Sequence, residues 1–156
     1  MGSWYYGNGF QTIIDEPIFV NPTFHGIWGV CDEDLVVRAD EEFVKLQQRG
    51  QPFLSVLFTT TNHTPFEYPE GRIEPLPGSE PASEENAVKF ADHALGKFFL
   101  LAREHAYYNN TIFVIIADHN IRVRTSPNGV MPVDNYRIFG LILGGGIEPQ
   151  RCDRLC

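Results

Sequence analysis

Thr111-Ile112-Phe113-Val114-Ile115-Ile116-Ala117 runs without a break into Asp118-His119-Asn120. A short run of β-branched and aromatic residues, entered through Asn109-Asn110 and left through a polar turn, reads as a strand covered on both faces. It is the clearest strand of the chain. Upstream, Pro52 leads into Phe53-Leu54-Ser55-Val56-Leu57-Phe58-Thr59, a second run of the same texture without clean alternation. Downstream, Arg137-Ile138-Phe139-Gly140-Leu141-Ile142-Leu143 closes at Gly144-Gly145-Gly146. Between the first two lies a segment from 60 to 83 rich in proline (Pro65, Pro69, Pro75, Pro77, Pro81), which fits neither helix nor central strand and reads as a long surface loop.

Helices flank these runs. Ser83 is a good N-cap, and Ala87, Ala91, Ala94, Leu95, Phe98 and Ala102 follow at steps of three and four, so the spacing predicts a helix ending near His105. Over residues 32–49, Leu35, Val36, Ala39, Phe43 and Leu46 share one helical face. Asp32-Glu33-Asp34 suits its positive end and Gly50 its stop. Helix, strand, helix, strand is the α/β pattern, and the link from 59 to 111 is ample for a right-handed crossover, which predicts parallel neighbours.

The chain of 156 residues is one domain's worth, and 43% apolar content can build a core. A formal charge of −8 disfavours a general nucleic-acid binder. No apolar stretch reaches the about 18 residues of a membrane span, and the start Met1-Gly2-Ser3-Trp4 has no secretion signal. Cys31, Cys152 and Cys156 show no metal-ligand spacing and read as incidental. A core-like strand running into Arg151-Cys152-Asp153-Arg154-Leu155-Cys156 with no closing element suggests a fragment.

In open α/β sheets ligands sit beyond the carboxyl ends of the strands. Two such ends are chemically loaded here. One carries Thr59-Thr60-Thr61-Asn62-His63-Thr64-Pro65-Phe66, the other Asp118-His119. Parallel strands would bring His63 and the Asp118-His119 pair to one edge. Asp118 and His119 offer the oxygen and nitrogen ligands that Mn²⁺, Mg²⁺ or Zn²⁺ accept, although a strand-end Asp-His pair is also a common cap. His63 is either a turn histidine bonded to backbone or an acid/base and phosphate donor. Arg122 and Arg124 follow the Asp-His turn, either as solvated charge or as a clamp for an anionic substrate. His25, His93 and His105 lack partners at ligand spacing. The triple glycine opens no helix and has no Lys-Ser/Thr after it, so it is not a phosphate loop. Asn62-His63-Thr64 and Asn109-Asn110-Thr111 match the glycosylation sequon, relevant only in a eukaryotic secretory pathway.

Trp28-Gly29-Val30-Cys31-Asp32-Glu33-Asp34, Thr61-Asn62-His63-Thr64-Pro65-Phe66, Tyr107-Tyr108-Asn109-Asn110-Thr111 and Ala117-Asp118-His119-Asn120, in this order, resemble the sulfatase-type domain of the lipoteichoic acid synthase and phosphoglycerol transferase family, within the alkaline phosphatase superfamily. The likeness covers nearly the whole chain. It implies an α/β fold with a largely parallel sheet flanked by helices on both faces, here incomplete: residues 1–156 would be a partial catalytic domain lacking its nucleophile-bearing N-terminal part and its C-terminal end.

The resemblance further implies a metal-dependent transferase, extracytoplasmic and anchored by membrane helices in its parent protein, that moves phosphoglycerol from a phospholipid headgroup to a glycan or glycerophosphate acceptor. Asp118 and His119 fall on the family's metal-binding pair, with Mn²⁺ the expected ion and Mg²⁺ or Zn²⁺ the alternatives. His63 falls on the histidine that contacts the substrate phosphate, and Arg122 is a candidate substrate contact. Asn120 stands where the wider superfamily has glycine. The family's nucleophilic threonine and a metal-binding glutamate lie before the segment that Gly7-Asn8-Gly9-Phe10 resembles, and Thr59, Thr60 and Thr61 do not replace that threonine. A non-catalytic module and a sulfatase or phosphodiesterase are the alternatives.

Overall fold

Ser83 accepts a hydrogen bond from the Asn86 amide and so starts a long helix, Glu84–Arg103, as its capping chemistry requires. The computed structural model describes residues 2–119, 137–148 and 150–151. Within them the helices are α1 (Gly2–Gly7), α2 (Asp32–Gln48) and α3 (Glu84–Arg103), and the strands are β1 (His25–Gly26), β2 (Gly29–Val30), β3 (Ile112–Ile116) and β4 (Gly140–Gly144). The chain divides into two compact units, Met1–His105 and Ala106–Cys156.

The core of the first unit lies between α2 and α3. Val36, Ala39 and Phe43 of α2 are buried, as are Ala87, Phe90, Ala94, Phe98 and Ala102 of α3. Phe43 meets Phe98 edge-on with ring centroids 6.0 Å apart. Both helices lie where the apolar spacing predicts, α3 stopping two residues early. The buried Glu33 is paired with Lys97 of α3 at 2.6 Å and with Arg72 at 3.3 Å, so its charge is not left uncompensated between the helices.

The proline-rich segment is a loop, as expected, and it is tied down. Asn86, fully buried on α3, accepts from the Leu76 amide through Oδ1 and donates through Nδ2 to Ser79 Oγ and the Glu80 carbonyl. Tyr68 stacks on Phe90, 5.3 Å between centroids, and donates its hydroxyl hydrogen to the Pro81 carbonyl.

Residues 53–59 correct the reading as a buried strand. They join no ladder among the described residues, and Leu54, Val56 and Phe58 are exposed while Phe53 packs on Phe43. An apolar run without alternation specifies extended chain, but neither a partner nor a cover.

In the second unit a short 3-10 helix, Ala106–Asn110, buries Tyr107 and feeds β3. Thr111 donates its hydroxyl hydrogen to the Tyr107 carbonyl at 2.7 Å. β3 pairs with β4, and the pairing is antiparallel, with Ile112 opposite Gly144, Val114 opposite Ile142 and Ile116 opposite Gly140. The expected parallel neighbour is therefore not what the described ladder contains. Nor is β3 covered on both faces, since Phe113 is buried whereas Ile112, Val114 and Ile116 are exposed. Arg137-Ile138-Phe139, expected within the third strand, precede β4.

Candidate active site

His63 stands on the turn that follows residues 53–59. Its ring Nδ1 lies 3.2 Å from the Thr60 carbonyl oxygen, and its backbone amide donates to the same oxygen. The ring rests against Trp28, 4.7 Å between centroids, and the Trp28 indole N–H donates to the Thr64 carbonyl at 2.8 Å. Beneath the turn, Asp32 at the start of α2 accepts from the Thr60 and Thr61 amides. Glu67 accepts from the Ile27 amide and so holds the β1–β2 turn that carries Trp28. The result is a shallow cleft lined by Trp28, Cys31, Thr60, Thr61, His63 and Glu67, with His63 exposed.

Sequence reasoning singled out His63 but missed Asp32 and Trp28 as its supports. The acids of 32–34 read as partners of the helix dipole, and nothing local reveals that one of them reaches across to the Thr60-Thr61 backbone. The signal available was the presence of both Trp28 and Asp32 in one motif.

Asp118 and His119 leave the C-terminal end of β3. Asp118 Oδ1 accepts from the His119 amide at 3.0 Å, its Oδ2 is 3.6 Å from His119 Nε2, and both side chains are about 70% exposed. The carboxylate and imidazole thus sit within reach of one ion, and an oxygen beside a nitrogen suits a divalent metal. Among the described residues no group of three or more His, Cys, Asp or Glu side chains comes together, so the pair fits part of a metal site and not a whole one. Arg122, Arg124 and Asn120 lie outside the described residues.

The other histidines have structural partners. His25 is hydrogen-bonded to Glu16, His105 lies 3.3 Å from the buried Asp40, and His93 stacks against Phe90. Thr60 Oγ1 is within 3.4 Å of the Val30 carbonyl, and Thr61 is buried.

A sulfatase family model matches residues 1–152. The chain belongs to the sulfatase family. Its relatives include phosphoglycerol transferase I of Xanthomonas campestris pv. campestris, 30% identical over 98% of this chain and 23% of that protein. Lipoteichoic acid synthase-like YvgJ of Bacillus subtilis is also 30% identical, over 64% of this chain and 16% of its own length. A crystal structure of an alkaline phosphatase superfamily protein from Vibrio parahaemolyticus superposes on 99% of this chain with a TM-score of 0.91 at 46% identity, and the match covers 37% of that protein. This sulfatase-family chain therefore has the superfamily's α/β fold and spans less than a quarter of the length of the curated relatives named here. Among its described residues no helix is long and apolar enough to cross a membrane.

Proposed function

We propose that this chain supplies the phosphate-contacting and part of the metal-binding portion of a phosphoglycerol transferase. The observation that carries the reading is the likeness to phosphoglycerol transferase I along almost all of the chain. His63 and the Asp118-His119 pair, the residues that the family motifs single out, are exposed on turns and not absorbed into a core. The donor would be a phospholipid headgroup and the acceptor a glycan or glycerophosphate, on the extracytoplasmic side of a membrane-anchored parent.

Asp118 and His119 would hold the divalent ion, Mn²⁺ in the first instance, with Mg²⁺ or Zn²⁺ as alternatives. When bound, such an ion draws electron density from the phosphoryl oxygens. The work left to this chain's own groups is to seat the phosphate. His63 presents its ring edge to a phosphate oxygen and, when protonated, donates a charge-assisted hydrogen bond to it or a proton to the departing alkoxide. Arg122 would pair with the same anion. The covalent step would fall to the family's nucleophilic threonine, a role given to none of Thr59, Thr60 and Thr61.

The test combines two measurements. In an intact enzyme carrying this chain, Asp118→Ala or His119→Ala should abolish phosphoglycerol transfer together with metal content, whereas His63→Ala should lower kcat by about 10²- to 10⁴-fold with the metal retained. In the chain itself, titrated Mn²⁺ should broaden the Asp118 and His119 resonances before any others. Full transfer activity in the Asp118 variant refutes the reading, and preferential cleavage of sulfate esters would favour a sulfatase instead.

A further inference from the structure

The contact between His63 Nδ1 and the Thr60 carbonyl has only one chemical sense. A carbonyl accepts, so the hydrogen lies on Nδ1, and the lone pair of the neutral ring lies on Nε2. In water an imidazole side chain favours the opposite tautomer, with its hydrogen on Nε2. The fold must therefore aim that carbonyl at the ring and keep the ring in place.

Asp32 does the first. It is 1% exposed, and its Oδ1 accepts from the Thr60 amide at 2.8 Å and from the Thr61 amide at 3.2 Å. The Thr61 N–H and the Thr60 C=O belong to one planar trans peptide and point in opposite directions. Drawing that N–H onto Asp32 turns the carbonyl away from α2 and towards His63. Trp28 does the second. Its indole ring packs against the imidazole at a tilt of 38°, and its N–H grips the Thr64 carbonyl just beyond, so the ring has an aromatic neighbour whose own position is tied to the His63 turn. Neither residue has an atom that replaces those of His63, so both act through it.

We propose that Asp32 and Trp28 are positioning residues that hold His63 as its Nδ1–H tautomer and leave Nε2 as the atom that meets the substrate phosphate. The last clause rests on the function proposed above, while the tautomer does not. The arrangement leaves the neutral ring a lone pair on its outward nitrogen, and on protonation the new N–H forms at that nitrogen and not against the Thr60 carbonyl. A single atom thus both gains and gives the proton.

The experiment is a long-range ¹H–¹⁵N correlation spectrum of the ¹⁵N-labelled chain at a pH where the ring is neutral. In the unaltered chain Nδ1 of His63 should resonate as the protonated nitrogen and Nε2 as the unprotonated one. Asp32→Ala should convert most of the population to the Nε2–H form, and Asp32→Asn, which keeps a carbonyl oxygen to accept from Thr60 and Thr61, should restore the native pattern. Trp28→Phe keeps an aromatic face but loses the indole N–H, and should give a mixture of both forms. It is a half-exposed site, so it keeps the test open if Asp32→Ala fails to fold. An Nε2–H majority in the unaltered chain, or an undiminished Nδ1–H form in folded Asp32→Ala or folded Trp28→Phe, overturns the proposal. Adding glycerol phosphate to the same sample separates the two readings: a shift of Nε2 alone supports both. The stated tautomer with no response to the ligand removes His63 from the substrate site and leaves the positioning argument standing.

Discussion

Cys31 shows how strongly a single position beside the site is governed by burial. Desolvation pushes its thiol up to about 11 from an ordinary 9.0, with the neighbouring Asp34 contributing in both directions. The folded chain keeps a proton there that the unfolded chain gives up. Stability from this group is therefore complete below about 9 and is lost as the pH rises through about 11. Denaturation midpoints should fall over that interval, and Cys31→Ala should flatten the fall. Alkylation mapped to the Cys31 peptide should be slow until the chain is unfolded. Asn86 is the other decisive residue. Asn86→Ala leaves the Leu76 amide and the Ser79 and Glu80 oxygens without their buried partner. The expected loss is about 3 kcal/mol in urea denaturation, with faster tryptic cleavage at Arg72 as the loop lifts from α3. Neither role is visible in a list of residue types. Asn86 follows its N-cap by three positions and reads as an ordinary first-turn residue, just as Asp32 reads as a dipole partner.

At the scale of elements, the two long helices were legible because every level agrees: a capping serine or acidic first turn, an apolar stripe at helical spacing, and a stop. The strands were legible as extended chain only. Alternation in β3 is hidden because its outward residues Ile112, Val114 and Ile116 are as apolar as the inward Phe113. Its antiparallel partner lies beyond residues 117–139, a pairing that no local pattern encodes. His63 and Asp118-His119 stand out in the sequence by motif, whereas the contacts around His63, from Asp32 and Trp28, join residues about thirty positions apart. The ladder offers a sharp test of its own. At Gly144 φ is +87°, and a Cβ there would lie 2.2 Å from the Thr111 carbonyl oxygen. Gly146 shares the positive φ, but a Cβ there would meet open space. Gly144→Ala should therefore lower Tm well beyond Gly146→Ala, whose cost is the backbone strain of about 1–3 kcal/mol alone.

For the whole molecule, the consequence of covering only one side of the β3–β4 ladder is exposed apolar area. Ile112, Val114, Ile116 and Ile142 share that face by register, and all four are more than half exposed. Such a surface drives association. Sedimentation of the isolated chain should shift with concentration, and Val114→Lys combined with Ile142→Glu should remove the shift without unfolding α2 and α3. The same ladder also has a consequence for the order in which the chain assembles. Joining Ile116 to Gly140 closes a loop over residues 117–139, at an entropic cost of about 3 kcal/mol before any strand contact repays it. The helices need no comparable closure to form their own turns. β3 should then be among the last elements to form and the first to open, with its amides exchanging hydrogen for deuterium well before those at the centre of α3. Uniform exchange rates across β3 and α3 would contradict this. The strand that delivers Asp118 and His119 would then be rigid only on a timescale shorter than that opening, and a bound ion would slow its exchange most of all.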